Sequence, residues 1–216
     1  MSVSEWVLAV VSFYIFLYWV LPLSIMLLFA PARTYFDKKV DETITKKNKD
    51  AVSQLKEKIE ALGFTKLGVR VEKEPFNYWY FTSSKFLEFF STENLYFASI
   101  SAQKHKVNYY FITAFIEGHC IITANGNFFP SADDRLTISI VAAEPDELLS
   151  IHKKRIESMV SKGYHPFQEY TKETRLRATM QYYRSPVVRN KTRQASAVFL
   201  FFVLFIVFIG VIEAIY

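Results

Sequence analysis

The sequence is poor in the residues on which easily recognised catalytic and binding motifs depend. Its single cysteine, Cys120, allows no disulfide within the chain, as is usual in reducing compartments. Its six glycines form none of the glycine-rich loops that cradle phosphates. Its four histidines do not occur at metal-ligand spacing, and the hydrolase motif G-x-S-x-G is absent. We therefore expect no cofactor, no metal site and no enzymatic activity.

Charge is missing from both ends of the chain. Residues 6–30 and residues 195–212 contain no charged side chain. Both runs meet the length of about 20 apolar residues with which a helix crosses a hydrocarbon core. The sequence therefore predicts transmembrane helices over residues 6–30 and 196–216, with residues 1–5 as a short tail. A cleavable signal peptide is the alternative for the first run, but no Lys or Arg precedes it and it exceeds a signal-peptide core in length.

Positive charge is concentrated between the two apolar runs. All 26 lysines and arginines lie between Arg33 and Arg193, as do all but two of the 21 acids. The positive-inside rule then places the middle of the chain in the cytoplasm and both termini outside, at the plasma or inner membrane. The residues expected to contact anionic lipid headgroups are Arg33, Lys38, Lys39, Arg184, Arg189, Lys191 and Arg193.

The middle of the chain predicts an α+β domain over residues 51–186, between a basic linker or stalk helix (31–50) and a second basic linker (187–195). Apolar residues recur at helical spacing before Gly63, which predicts a helix over residues 37–62. Several short segments rich in β-branched and aromatic residues follow, including a hairpin over residues 107–124 with Glu117-Gly118 at its tip. Helices return at Pro145 and over residues 166–183, before Pro186. We expect an antiparallel meander of about five strands with helices on one face.

An aromatic cluster and the basic residues are the candidate interaction surfaces. The aromatic cluster is expected to pack in the core or against the bilayer; a partner interface and an apolar-ligand pocket are the alternatives. Basic residues also alternate with aromatic ones, as in nucleic-acid-binding proteins, but contact with an anionic membrane is the favoured interpretation and we expect no nucleic-acid partner. The candidate partner or ligand surface consists of Phe76, Tyr78, Trp79, Tyr80 and Phe81.

The polar candidates for a site are Glu117, His119 and His152. His119 precedes Cys120, but neighbours on a strand point to opposite faces, so the two cannot form a catalytic dyad by themselves. With His119 facing outward, Cys120 is expected on the core face as a structural residue. An enzyme would need His119 or His152 to lie in a concave cluster with acids such as Glu117, Asp133 or Asp134.

Part of the chain resembles domains of uncharacterised function in bacterial membrane-anchored proteins. The similar features are Thr113, Phe115 and Gly118 in the hairpin, Ile122, Thr123 and Asn125 after it, and Glu147, Leu148 and His152 in a later helix. The resemblance covers residues 96–156 and implies no activity and no catalytic residues. His152 is the first of these positions to test, and a surface or capping role is expected for it.

Three functions are compatible with this pattern. The favoured one is a non-catalytic accessory or scaffold subunit of a membrane protein complex, with a membrane protein or a second copy of the chain as its partner. The second is a module that binds a lipid or another apolar ligand at the membrane surface. The third is a membrane enzyme whose site the motifs do not reveal.

Overall fold

A computed structural model describes residues 3–21, 33–37, 48–73, 84–91, 96–102, 106–126 and 128–215. The chain divides into two compact units. The helical unit comprises Met1–Ala32, Glu74–Thr82 and Arg189–Tyr216, and the sheet unit comprises Arg33–Lys73 and Ser83–Val188.

Two helices supply the described part of the helical unit. Helix α1 spans Val3–Ile15 and continues as a π-helical turn over Phe16–Val20. Helix α5 spans Pro186–Ile215 and contributes all but its first three residues to this unit. Large apolar side chains of both helices are exposed.

The prediction of a transmembrane helix at each end is contradicted. Among the residues that the structure describes, no helix combines the length and the apolar character that a membrane crossing requires. The prediction of two transmembrane helices is therefore wrong for the described residues. The predicted location at the cytoplasmic membrane stays a prediction.

The sheet unit is built on one mixed sheet of eight strands. The spatial order is β1-β2-β3-β4-β5-β6-β8-β7, in which every pair is antiparallel except β6 and β8. The strands are β1 (Arg33–Asp37), β2 (Phe64–Lys73), β3 (Ser84–Ser91), β4 (Phe97–Ala102), β5 (Val107–Ala114), β6 (Cys120–Ala124), β7 (Ser131–Ala132) and β8 (Leu136–Ile140).

Three helices of the sheet unit begin or end where the sequence supplies the appropriate residues. Helix α2 (Lys49–Ala61) is followed at Gly63 by a positive φ of 86°. Helix α3 (Pro145–Val160) begins with proline and two acids, which suit the positive end of the helix dipole. Helix α4 (Lys172–Arg184) begins with a capping box between Thr171 and Thr174.

Both faces of the sheet are covered. On one face, α2 and α3 contribute Ile59 and Leu148 to a core that contains Phe111 of β5. On the other face, α4 contributes Ala178 to a second core that contains Ile112, the next residue of β5. Because neighbouring side chains of a strand point to opposite faces, β5 is buried on both sides.

The α+β class holds, but the predicted sheet was wrong in three respects. It has eight strands rather than about five, it is mixed rather than an antiparallel meander, and helices cover both faces rather than one. The chain leaves β6, crosses to form β7, and returns as β8 parallel to β6. Short strand spacing alone could not reveal this pairing, since β8 pairs antiparallel with β7, its neighbour in sequence, and parallel with β6 on its other side.

Other predicted elements were shifted or confirmed. The hairpin over β5 and β6, with its turn at Glu117-Gly118, is confirmed by the pairing of Ala114 with Cys120. The predicted linker before α2 contains strand β1, and residues 38–47 lie outside the described ones. Pro186 begins α5 rather than only stopping the preceding helix. The sequence also predicts a strand over residues 77–84, of which only Ser84, the first residue of β3, lies within the described residues.

Candidate functional site

The largest concentration of buried charge lies between the sheet and α4. Glu88 of β3 pairs in register with Ser99 of β4, which pairs with Tyr110 of β5. Side chains of residues paired in this way lie on the same face, so the three form a polar row across the strands. Arg70 of β2 and Arg175 of α4 complete the cluster, which we call the arginine–glutamate network.

Glu88 is the centre of this network. Its Oε1 accepts hydrogen bonds from Arg70 Nε at 2.7 Å and Arg175 Nη2 at 3.1 Å. Its Oε2 accepts from Arg175 Nε at 2.7 Å and Ser99 Oγ at 2.7 Å. Burial by itself raises the pKa of Glu88, but the charges of Arg175 and Arg70 outweigh burial and lower the pKa below its ordinary value. Glu88 is therefore held as a carboxylate inside the protein.

The network extends from Glu88 to the last turn of α4. Tyr110 Oη accepts hydrogen bonds from Arg70 Nη2 at 2.8 Å and Arg175 Nη2 at 3.0 Å. Arg70 Nη1 also donates to Glu72, and Glu72 Oε2 accepts from Tyr183 Oη at 3.0 Å. Arg175 and Tyr183 lie near opposite ends of α4, so the network attaches this helix to the sheet at two points.

This network has a structural role, because its charged groups are paired with one another. Its two guanidinium groups are matched by two carboxylates, and both oxygens of Glu88 already accept two hydrogen bonds each. Arg70, Glu88 and Arg175 are fully or almost fully buried. An external anion would have to displace Glu88 and bury an extra charge, which is strongly unfavourable. The network is therefore suited to holding α4 in one position on the sheet.

His152 is a buried structural residue rather than a surface or capping one. Its Nε2 lies 3.0 Å from Thr113 Oγ1, and its Nδ1 lies 2.9 Å from Thr123 Oγ1. A neutral imidazole satisfies both contacts, because one ring nitrogen donates and the other accepts. Burial, with a smaller contribution from the charge of Arg155, lowers the pKa of His152 to about 3. The expectation of exposure was wrong because α3 packs His152 directly against β5 and β6.

The other polar candidates do not converge with His152. Glu117 is exposed, and its carboxylate accepts hydrogen bonds from the backbone N–H of His165 at 3.0 Å and from its ring at 2.6 Å. His119 is buried rather than outward-facing, and its ring contacts the Asp134 carbonyl and Thr137 Oγ1, both at 3.1 Å. Thus the structure engages Glu117, His119 and His152 in three separate sets of internal contacts.

Cys120 is buried, as the sequence predicted, and packs in the second core with Ile122. His119 instead makes edge-to-face contacts with the rings of Phe115 and Tyr164. Burial raises the pKa of Cys120 to about 12, so the thiol stays protonated at neutral pH. The expected separation of His119 and Cys120 on opposite faces is consistent with these contacts.

The predicted interaction surfaces are described only in part. Seven basic residues were predicted to contact lipid headgroups. Those that the structure describes are exposed: Arg33, Arg184, Arg189, Lys191 and Arg193. Lys38 and Lys39 lie outside the described residues, as do all five members of the predicted aromatic surface: Phe76, Tyr78, Trp79, Tyr80 and Phe81. Their predicted contacts with lipid headgroups, a partner or a ligand stay predictions.

Sequence reasoning missed the arginine–glutamate network, although one signal of it was present. Glu88 interrupts the apolar strand segment Phe86-Leu87-Glu88-Phe89-Phe90, where a charge must be paired if both faces are buried. Its partners come from residues 18 positions earlier and 87 positions later, a separation that strand and helix periodicity cannot bridge.

Within the described ranges, no group of three or more His, Cys, Asp or Glu residues is arranged to hold a metal ion. Comparisons of the chain with protein-family models, with curated proteins and with solved structures found no match. The resemblance of residues 96–156 to bacterial membrane-anchored domains stays a prediction.

Proposed function

We propose that this chain is a non-catalytic accessory subunit that scaffolds a protein complex through the apolar surfaces of α1 and α5. The observation that carries this proposal is the exposure of large apolar side chains on both helices. Phe13 of α1 is 63% exposed and Phe201 of α5 is 71% exposed. Exposed apolar area of this kind is stabilised when a partner removes it from water.

Aromatic side chains are frequent on these two surfaces. Their exposed members include Trp6, Phe13, Tyr14, Tyr18, Phe201, Phe202 and Phe205. Aromatic residues bury much area at a small cost in side-chain entropy, and they are enriched at the energetic centres of protein–protein interfaces. The occupant that we propose is therefore another protein with an apolar helical surface.

The sheet unit acts as a rigid platform in this proposal. Its buried ionisable side chains His152 and Glu88 form their hydrogen bonds with internal partners. This use of polar groups supports a structural role for the sheet unit and leaves partner recognition to exposed surfaces.

Photo-crosslinking of the full-length chain in cells tests the proposal. A photoreactive phenylalanine is placed at Phe13, at Phe201 or, as a control, at Ile116, which is an equally apolar position of the sheet unit with 63% exposure. We expect Phe13 and Phe201 to crosslink to the same protein in high yield, and Ile116 to give no such product.

Three outcomes would contradict the proposed partner. Crosslinks only to lipid would assign the apolar surfaces to a bilayer, and crosslinks only to the same chain would assign them to self-association. Equal yields from Phe201 and Ile116 would show that exposure alone, rather than a specific interface, determines the products. A partner identified from both helices should also be lost when Phe201 and Phe205 are replaced by serine.

A further inference from the structure

A cleft of about 580 Å³ lies on the sheet unit between α2 and the start of α3. Gln54, Leu55 and Lys58 of α2 form one wall, and the segment before α3, including Ala143 and Glu144, forms the other. The cleft is separate from the arginine–glutamate network, which lies on the opposite face of the sheet. It uses none of the apolar side chains of α1 and α5.

The floor of the cleft is fixed by internal hydrogen bonds. The Tyr109 hydroxyl donates to the Ala143 carbonyl, and the Tyr109 backbone N–H donates to Asn125 Oδ1 at 2.8 Å. Apolar groups of Ala51, Leu55, Ala142, Ala143 and Pro145 line part of the cleft, beside the polar side chains of Gln54 and Asn125. The cleft therefore offers a preformed surface for an aliphatic stem.

The charge at the mouth of the cleft is negative. Glu144 and Glu147 line it, and Asp146 lies between them in the first turn of α3. Lys58 contributes one positive charge, and the start of a helix contributes about half a charge more. Three carboxylates outweigh these, which leaves about −1.5 charges. Burial, followed by these same three carboxylates, raises the pKa of Tyr109 to about 12.

A lysine of the chain already occupies the mouth of the cleft. Lys58 reaches from α2 to Glu144 on the opposite wall, where its Nζ lies 2.6 Å from Oε2. Both side chains are more than half exposed, so this ion pair is weak and can exchange with another cation. Glu147 has no comparable lysine in the described part of the cleft.

We propose that this cleft docks a lysine or arginine side chain of a partner protein, with its aliphatic stem against the apolar part of the lining and its cation between Glu144 and Glu147. Lys58 is the internal competitor for that position. The identity of the ligand as a protein segment rests on the proposed role as an accessory subunit, whereas recognition of the cation rests only on the cleft.

Nuclear magnetic resonance of the 15N-labelled full-length chain tests this proposal with a defined probe. The probe is the blocked pentapeptide acetyl-Gly-Leu-Arg-Leu-Gly-amide, and its control carries citrulline, which has the same shape without the charge. We expect shifts of the backbone amide signals of Gln54, Ala142, Ala143, Glu144, Asp146 and Glu147 with the arginine peptide, and affinity at least threefold weaker with citrulline.

Three variants distinguish the cleft from general attraction to an acidic surface. Glu147→Gln should weaken binding of the arginine peptide by about threefold to fivefold. Lys58→Met should strengthen it by a similar factor, because the competing ammonium is removed. Glu157→Gln removes an exposed acid of the same helix outside this cleft and should leave the affinity unchanged.

The proposal is overturned if the citrulline peptide binds equally well, if Glu147→Gln matches Glu157→Gln, or if Lys58→Met weakens binding. Agmatine binding as tightly as the peptide would assign the cleft to free amines instead of a protein segment. Unchanged spectra elsewhere in each variant show that it is folded. The crosslinking from Phe13 and Phe201 is independent of the cleft, so either proposal can fail alone.

Discussion

Replacement of Glu88 by glutamine tests whether the arginine–glutamate network holds the sheet unit together. The substitution keeps the size and shape of the side chain and removes its charge. One of the two carboxylate oxygens becomes an NH2 group, which donates and can no longer accept. Arg70 and Arg175 then remain buried with one shared carboxylate fewer.

The expected loss of stability follows from the contacts of the altered oxygen. Each oxygen of Glu88 accepts two hydrogen bonds, so at least two bonds, including one from an arginine, are lost. A hydrogen bond to a charged group contributes about 1.5–3 kcal/mol, and removal of one partner from a buried ion pair costs about 3–5 kcal/mol. We expect Glu88→Gln to lower the free energy of unfolding of the sheet unit by about 4 kcal/mol.

Hydrogen exchange in the centre of β5 is the appropriate assay, because it reports on the sheet unit irrespective of the helical unit. The amides of Phe111 and Ile112 lie in the buried middle of the sheet and exchange only on extensive opening. A loss of about 4 kcal/mol should accelerate their exchange by a factor on the order of 1,000. The exposed residue Glu57 provides the control, and Glu57→Gln should change the rate by less than about twofold.

An effect of Glu88→Gln below about 1 kcal/mol would refute this reasoning. It would mean that water or a rearranged side chain compensates the two arginines. The combined replacement of Arg70, Glu72, Glu88 and Arg175 by apolar residues of similar volume provides a further check. Because this change leaves no buried charge unpaired, it should cost less than Glu88→Gln alone.

Two further predictions concern His152 and Gly118. Burial lowers the pKa of His152 in the folded protein to about 3, whereas the ordinary value is about 6.5. Between these two pH values the unfolded chain binds a proton on His152 that the folded chain does not bind. The free energy of unfolding should therefore fall as the pH decreases from about 6.5 towards 3, by about 2 kcal/mol at pH 5. His152→Gln should remove this contribution. If hydrogen exchange of the β5 amides showed the same pH dependence of stability in both proteins, the prediction would be contradicted. Gly118 has a φ of 89°, and an added Cβ would meet no atom within 4 Å. Gly118→Ala should therefore lower the free energy of unfolding by about 1 kcal/mol, because an L side chain is unfavourable at this φ and not because of a steric clash. Asparagine tolerates this conformation better, so denaturant unfolding should show a smaller loss for Gly118→Asn, and equal losses would indicate a different cause.

Local elements of the sheet unit could be predicted because their signals lie within a few residues of each other. Segments rich in β-branched and aromatic residues on both sides of Glu117-Gly118 predicted the hairpin of β5 and β6, and Pro145 with the acids after it predicted the start of α3. In α2, helical spacing identified the buried face of Val52, Leu55 and Ile59. Each of these features depends on the geometry of one strand pair or one helix.

The errors came from contacts between distant segments. The expected exposure of His119 and His152 assumed that one sheet face meets solvent, but helices cover both faces. The apolar runs predicted spanning helices from composition, and the helices of the described residues do not meet that requirement. The cleft beside Glu144 also needed the structure, because its two walls are 86 residues apart in sequence where Lys58 meets Glu144.

The sequence by itself determined the α+β class, the β5–β6 hairpin, the start of α3 and the burial of Cys120, because backbone geometry and side-chain periodicity act over short distances. Only the tertiary structure decided that β6 and β8 are parallel, that α4 is held by Arg175 and Glu88, and that His152 lies between two threonines. A buried charge or imidazole is stable only with its partners in place. Those partners come from strands and helices that only the complete fold brings together.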